Sequence, residues 1–286
     1  MAATQWNESL IDGELLVEDV QYIVHKGIRY NIKIEVKKYE DLVNATFSEL
    51  RRLPNHDDKK EIEWSVDNTK LTANNAKWVR GSHPALHYRG NALKRHKVWF
   101  QEQDEGFYAY KYTGWQKKVL NATFKIDYTN FSATSALVNA MKEDVEQNHW
   151  IATMYEDGFD YIGMHSDKTK TWKKGSSFQV IKWGFPRIFK VTINDHEEVD
   201  KCTVLFSKIL PAGTSLIVDM DTNERTRHGV PVMEGCTKVS GSIVGRDIET
   251  FISFEESKKM IKQAERDRLK RKLKKEERNA NKKVKV

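Results

Sequence analysis

The chain has 286 residues, 39% of them apolar and 31% charged, with a formal net charge of +7. This is enough apolar material for the core of one elaborated domain, and it excludes wholesale disorder. No apolar run approaches the ~18 residues of a transmembrane helix, and residues 1–10 lack the basic-then-apolar layout of a signal peptide. An intracellular protein, nuclear or cytoplasmic and with no membrane partner, is therefore expected.

The charge is uneven along the chain. Residues 257–286 hold 14 Lys/Arg against 4 Asp/Glu, leaving 34 against 37 in residues 1–256. The body is thus near −3 and the tail near +10, so the basic balance describes an appendage rather than a folded face. The two cysteines, Cys202 and Cys236, are too few for a disulfide framework or a structural zinc site and read as small buried hydrophobes.

In chain order, residues 15–24 are strand-like. After His25-Lys26-Gly27, which can close a hairpin, Ile28, Tyr30, Ile32, Ile34 and Val36 alternate with polar residues at the period of a half-buried strand. Tyr39, Leu42, Val43, Phe47 and Leu50 fall at helical spacing and predict a helix over 39–52, closed by Pro54. Residues 54–80 read as a polar loop. Residues 95–128 turn aromatic, with Trp99, Phe100, Tyr108, Tyr110 and Tyr112 in strand-like runs, and Leu137, Val138, Met141 and Val145 predict a short amphipathic helix over 134–147. From residue 149 to 254, short β-rich runs separated by Gly and Pro turns predict a sandwich or barrel: 150–155, 177–183, 187–191, 214–220 and 239–244. The tail from Ser257 is read as a solvated helix or a disordered arm.

The chemistry concentrates in the segment that ends His165-Ser166-Asp167. If it is extended, the side chains of His165 and Asp167 project to one side and can meet on one ion. A third ligand must come from elsewhere, and His228, just before Gly229-Val230-Pro231, is the candidate. Two histidines and one carboxylate on one face of an ion leave three positions open, which suits non-haem Fe(II) rather than closed zinc. A His-x-Asp triplet alone is more often a solvated turn.

The surrounding residues resemble the AlkB-like family of Fe(II)/2-oxoglutarate-dependent dioxygenases. The family's Asn-x-Tyr, Asp-Gly and Gly-Trp-His-Ser-Asp elements are similar here to Thr153-Met154-Tyr155, Asp157-Gly158 and Gly163-Met164-His165-Ser166-Asp167. Downstream, Gly184-Phe185-Pro186-Arg187-Ile188-Phe189 resembles its Gly-x-x-Arg-x-Phe turn, Gly213-Thr214-Ser215-Leu216-Ile217-Val218-Asp219-Met220 its Gly-Ser-Leu strand, and His228-Gly229-Val230-Pro231 its distal histidine turn. Order and spacing agree across roughly residues 85–254.

The resemblance implies a mostly β, α+β fold with flanking helices and a double-stranded β-helix (jelly-roll) core. Together with the elements read above, it divides the chain into an N-terminal hairpin, helix and loop extension at 1–80, a dioxygenase domain at 81–256 and a basic tail at 257–286. It assigns His165, Asp167 and His228 to iron, and 2-oxoglutarate as cosubstrate beside Tyr155. Of the two arginines the family carries on its last strand, Arg246 is present and Ser240 stands in place of the other; Thr153 replaces the usual asparagine. A desolvated carboxylate needs a fixed cation, and Lys238, on the same strand face as Ser240 and Arg246, is the expected substitute. A solvated residue after a turn is the competing reading of Lys238.

On the substrate side, the family's nucleic-acid demethylases stack a flipped base on an aromatic ring. Tyr112 is the candidate stacking partner, with Tyr110 as a pocket wall. The run Lys94-Arg95-His96-Lys97, and Arg95 in particular, lies where the family contacts substrate and can track phosphates. The tail reads as a phosphate-binding or nuclear-localisation patch, or as a solubilising extension. The function expected is oxidative demethylation of nucleobases in DNA or RNA by a monomer. The alternatives are an oxygenase acting on a protein or small molecule, or a nucleic-acid-binding protein that no longer turns over.

Overall fold

Period-two alternation divides the side chains of the strands His149–Tyr155, Ser177–Gly184 and Ser240–Arg246 between two different cores. In the strand His149–Tyr155, Ile151 and Tyr155 enter one apolar cluster while Trp150 and Ala152 enter the other. The structure is a computed structural model that describes residues 4–5, 17–53, 78, 87–88, 91–92, 95–102, 106–108, 110, 123–125 and 130–283.

Eight of the described strands form the barrel. They are β1 (His149–Tyr155), β2 (Ile162–His165), β3 (Ser177–Gly184), β4 (Arg187–Ile193), β5 (Val204–Leu210), β6 (Ser215–Asp219), β7 (Thr226–Val230) and β8 (Ser240–Arg246). One sheet has the order β6-β3-β8-β1, the other β2-β7-β4-β5, and all neighbours within these two runs are antiparallel. Because the chain returns repeatedly from one sheet to the other, this order is that of a double-stranded β-helix, or jelly roll. The larger sheet is extended to seven strands by Ile32–Glu35 beside β6, by His96–Gln101 beside β1 and by Thr123–Lys125 beside His96–Gln101.

The inner core between the sheets holds Phe178, Val180, Phe189, Val191, Leu216 and Val230. On its opposite face the larger sheet is covered by helices α1 (Glu40–Leu50) and α2 (Ser132–Asp144), with Val43, Leu50, Leu137 and Met141 packed over Trp150, Ile181, Trp183 and Ile243. Phe47 stacks on Trp183 at 4.4 Å between ring centroids. Glu49 ties the helices together: its carboxylate accepts from the N–H groups of Ala133 (3.1 Å) and Thr134 (2.7 Å), satisfying donors at the start of α2 that have no partner within the helix. Of the segment expected as an N-terminal extension, the described stretch 17–53 is thus packed into both the sheet and its cover.

The predicted hairpin is present between Ile23–His25 and Ile28–Tyr30, where Lys26 (φ 48°) and Gly27 (φ 75°) form the turn. Two successive positive φ values are the geometry that matches the twist of the flanking strands. The periodicity did not mark the strands β5 and β7, nor the short helix α3 (Met220–Arg225). The tail is helical, as α4 (Phe254–Lys283), with Leu269 and Leu273 exposed. Among the described residues no helix is long and apolar enough to cross a membrane.

Candidate metal centre

His165 ends β2 and His228 lies in β7, and the two are directly opposite each other in the antiparallel pair. Their ring centroids are 4.6 Å apart. Asp167 follows two residues beyond the end of β2 and is placed by its backbone: its N–H donates to Asn223 Oδ1 and its carbonyl accepts from Asn223 Nδ2, both at 3.0 Å. Asn223 is fully buried in α3, whose first turn is capped by Asp219 Oδ1 accepting from the Thr222 N–H at 2.7 Å. Ser166 Oγ adds a bond to the Thr226 carbonyl. The helix between β6 and β7 therefore locks the His-x-Asp turn against the strand that carries His228.

One ligand atom from each of His165, Asp167 and His228 lies within 4.8 Å of the others. His165 Nδ1 is 2.8 Å from the Gly163 carbonyl, an acceptor that requires this nitrogen to carry the proton and so frees Nε2 for a metal. Asp167 is held on both oxygens. Tyr110 Oη donates to Oδ1 at 2.9 Å, and Arg246 donates to Oδ2 from Nε at 3.1 Å and Nη2 at 2.6 Å.

Burial pushes the Asp167 carboxyl up, but the Arg246 guanidinium, with His228 and His165, outweighs it and holds the group well below the usual carboxylate range. Burial, reinforced by His165, lowers His228 to about 3, and desolvation also lowers His165. Two neutral imidazoles and an ionised carboxylate are the protonation states a divalent metal ligand set requires, so the residues fit a ferrous ion.

A pocket of about 520 Å³, open mouth included, adjoins the triad, and His165 and His228 form part of its wall. Ile151, Ile162, Val180, Phe189, Val230 and Val244 make it apolar, while Lys97, Lys182 and Arg246 supply three basic side chains. Among the described residues no carboxylate lines it. Burial and the Arg187 charge lower Lys182 to about 7; burial, with Arg95 and Arg246, also lowers Lys97.

Of the residues expected beside 2-oxoglutarate, Thr153, Tyr155 and Arg246 line this pocket. Ser240 is fully buried and its hydroxyl has no hydrogen-bond partner among the described residues. Lys238 lies outside the pocket, exposed, with Nζ 5.6 Å from the centre of the Phe185 ring. The expected face sharing along β8 fails for it because the strand begins only at Ser240. Tyr110 is 4% exposed and holds Asp167 instead of forming an open substrate wall. Arg95, expected on phosphates, is 7% exposed and donates from Nη1 to the Tyr161 carbonyl at 3.0 Å. Tyr112 and Lys94 lie outside the described residues.

Sequence reasoning missed Asn223, Lys97 as a pocket residue, and Lys182. A polar residue at an inward position of an otherwise apolar strand was the available signal for Lys182. It also passed over Phe159 and Tyr161, exposed aromatics on the loop from β1 to β2.

No protein-family model and no curated protein matches the chain. Among solved structures it is similar to the one described as "The structure of OsALKBH1", at 14% identity and a TM-score of 0.47, covering 79% of this chain and 99% of that chain. The jelly-roll assignment rests on the strand order given above and not on this likeness.

Proposed function

We propose that the chain is an Fe(II)- and 2-oxoglutarate-dependent dioxygenase that oxidatively dealkylates nucleobases in DNA or RNA. The observation that carries this reading is the meeting of His165, His228 and Asp167 beside a pocket that the two imidazoles help to line and to which Lys97, Lys182 and Arg246 bring three basic side chains. A ferrous ion held there would supply activation of dioxygen coupled to decarboxylation of 2-oxoglutarate to succinate, hydroxylating an N-alkyl carbon that then leaves as an aldehyde.

The chain's own residues have separate tasks. His165 and His228 offer neutral nitrogen donors and Asp167 an anionic oxygen, while Arg246 and Tyr110 fix the orientation of that carboxylate. Ile162, Phe189 and Val230 keep water from the reacting centre, and the cations favour an anionic cosubstrate.

The nucleobase part of the reading is supported by the resemblance across residues 85–254 and by the basic tail. Tyr112 remains the proposed stacking ring and nucleic acid the proposed partner of a monomer acting in the nucleus or cytoplasm. Succinate release from the full chain with Fe(II), 2-oxoglutarate and a panel of methylated DNA and RNA oligonucleotides tests it. Release stimulated by at least one oligonucleotide is expected. Turnover stimulated by none of them would remove the nucleobase assignment.

A further inference from the structure

The ladder pairings align four polar residues across the larger sheet. Lys97 pairs with Thr153, Thr153 with Ser242 on β8, and Ser242 with Lys182 on β3. Residues directly opposite in antiparallel pairs project from the same face, and all four line the pocket. With strands roughly 4.8 Å apart, two lysines flank two hydroxyls in one row, within reach of a group placed over the hydroxyls.

Lys182 is 1% exposed. Its Nζ donates to the Gly241 carbonyl at 2.8 Å, and among the described residues no carboxylate lies within ion-pair distance. An ammonium has three donors, so two remain for a ligand. A buried cation next to a second cation, Arg187, with one carbonyl as its hydrogen-bond partner and the Tyr155 ring 5.8 Å away, remains costly unless an anion joins it. Arg246 is already committed to Asp167, Ser240 is a short neutral side chain, and Lys238 faces away.

We infer that Lys182, with the Thr153 and Ser242 hydroxyls beside it, binds the distal carboxylate of the keto-acid cosubstrate, replacing the cation missing at Ser240 with one from a different strand. The inference rests on the dioxygenase reading proposed above. It makes the pocket selective for a dicarboxylate, because a keto acid without the second carboxylate leaves Lys182 unpaired.

The test is calorimetric titration of the Mn(II)-loaded full chain with 2-oxoglutarate and with 2-oxobutyrate, which lacks the distal carboxylate. The wild-type chain is expected to prefer 2-oxoglutarate by about 10- to 100-fold, the range of a hydrogen bond to a charged group. Lys182→Met should abolish that preference by weakening 2-oxoglutarate alone, leaving 2-oxobutyrate and Mn(II) binding within about twofold of wild type. Lys238→Ala should retain the preference. Lys182→Gln keeps a donor for the Gly241 carbonyl and makes the same comparison if the methionine variant does not fold. A Lys182 variant that keeps the wild-type preference overturns the assignment of Lys182 while leaving the dioxygenase reading intact. Binding of neither keto acid by the metal-loaded wild type overturns that reading, and this inference with it.

Discussion

Arg246 grips a single carboxylate oxygen of Asp167 with two donors, at 3.1 and 2.6 Å, from the far end of β8. Both side chains are almost fully buried. The guanidinium also lies 4.6 Å from the centre of the Tyr110 ring, whose hydroxyl takes the other oxygen of Asp167. This pairing fixes the orientation of the Asp167 carboxylate through protein contacts alone. Arg246→Met should weaken Mn(II) binding by about 10- to 100-fold, the usual effect of losing a partner of a metal ligand, and destabilise the fold by about 3–5 kcal/mol through the buried charge left behind. Metal titration and denaturant unfolding of the same variant measure both, and unchanged metal affinity would show that Asp167 needs no such support.

Tyr110→Phe removes only the hydroxyl. A stability loss of about 1 kcal/mol and a several-fold drop in metal affinity are expected, with folding otherwise intact. If Tyr110 acts only as a substrate wall, metal affinity will not move.

His149 offers a pH test away from the ligands. Burial, reinforced by Arg246, lowers its pKa from 6.5 to about 3 in the folded chain, so between these values the unfolded state binds more protons. Stability must then fall as pH drops from about 6.5 toward 3, by up to about 1.4 kcal/mol per pH unit from this residue. Unfolding free energies of wild type and His149→Gln at pH 7 and pH 5 should converge or reverse in order at the lower pH. Parallel pH dependences would show that His149 is not held neutral.

Deleting residues 257–286 should reduce the salt dependence of nucleic-acid binding, since every phosphate that the tail neutralises releases about one counterion and steepens the slope accordingly. Fluorescence anisotropy with a fixed oligonucleotide across a salt series reads this directly. An unchanged slope would take the tail out of the interface.

The short β-rich runs of the barrel, such as Ser177–Gly184, were legible in the sequence, as was the ordering of His165, Asp167 and His228. What was not legible depends on pairing between distant stretches. Ile32–Glu35 reads as part of a local hairpin, yet it joins the larger sheet through Ser215–Asp219. Charges were the other difficulty: a lysine reads as solvated wherever it stands, but Lys97 and Lys182 point into the barrel while Lys238 does not. Arg95 shows the same difficulty, because only the three-dimensional packing places it against the Tyr161 carbonyl. Asn223 carries no sequence signal, since its role is to clamp the backbone of Asp167 across 56 residues of chain.

Anaerobic titration of Fe(II) into the wild-type chain and into Asp167→Ala tests the proposed centre most directly. The wild type should bind one ferrous ion per chain and the variant should lose that binding. Equal binding by both proteins, or none by the wild type, would contradict the assignment of His165, Asp167 and His228 as a metal centre.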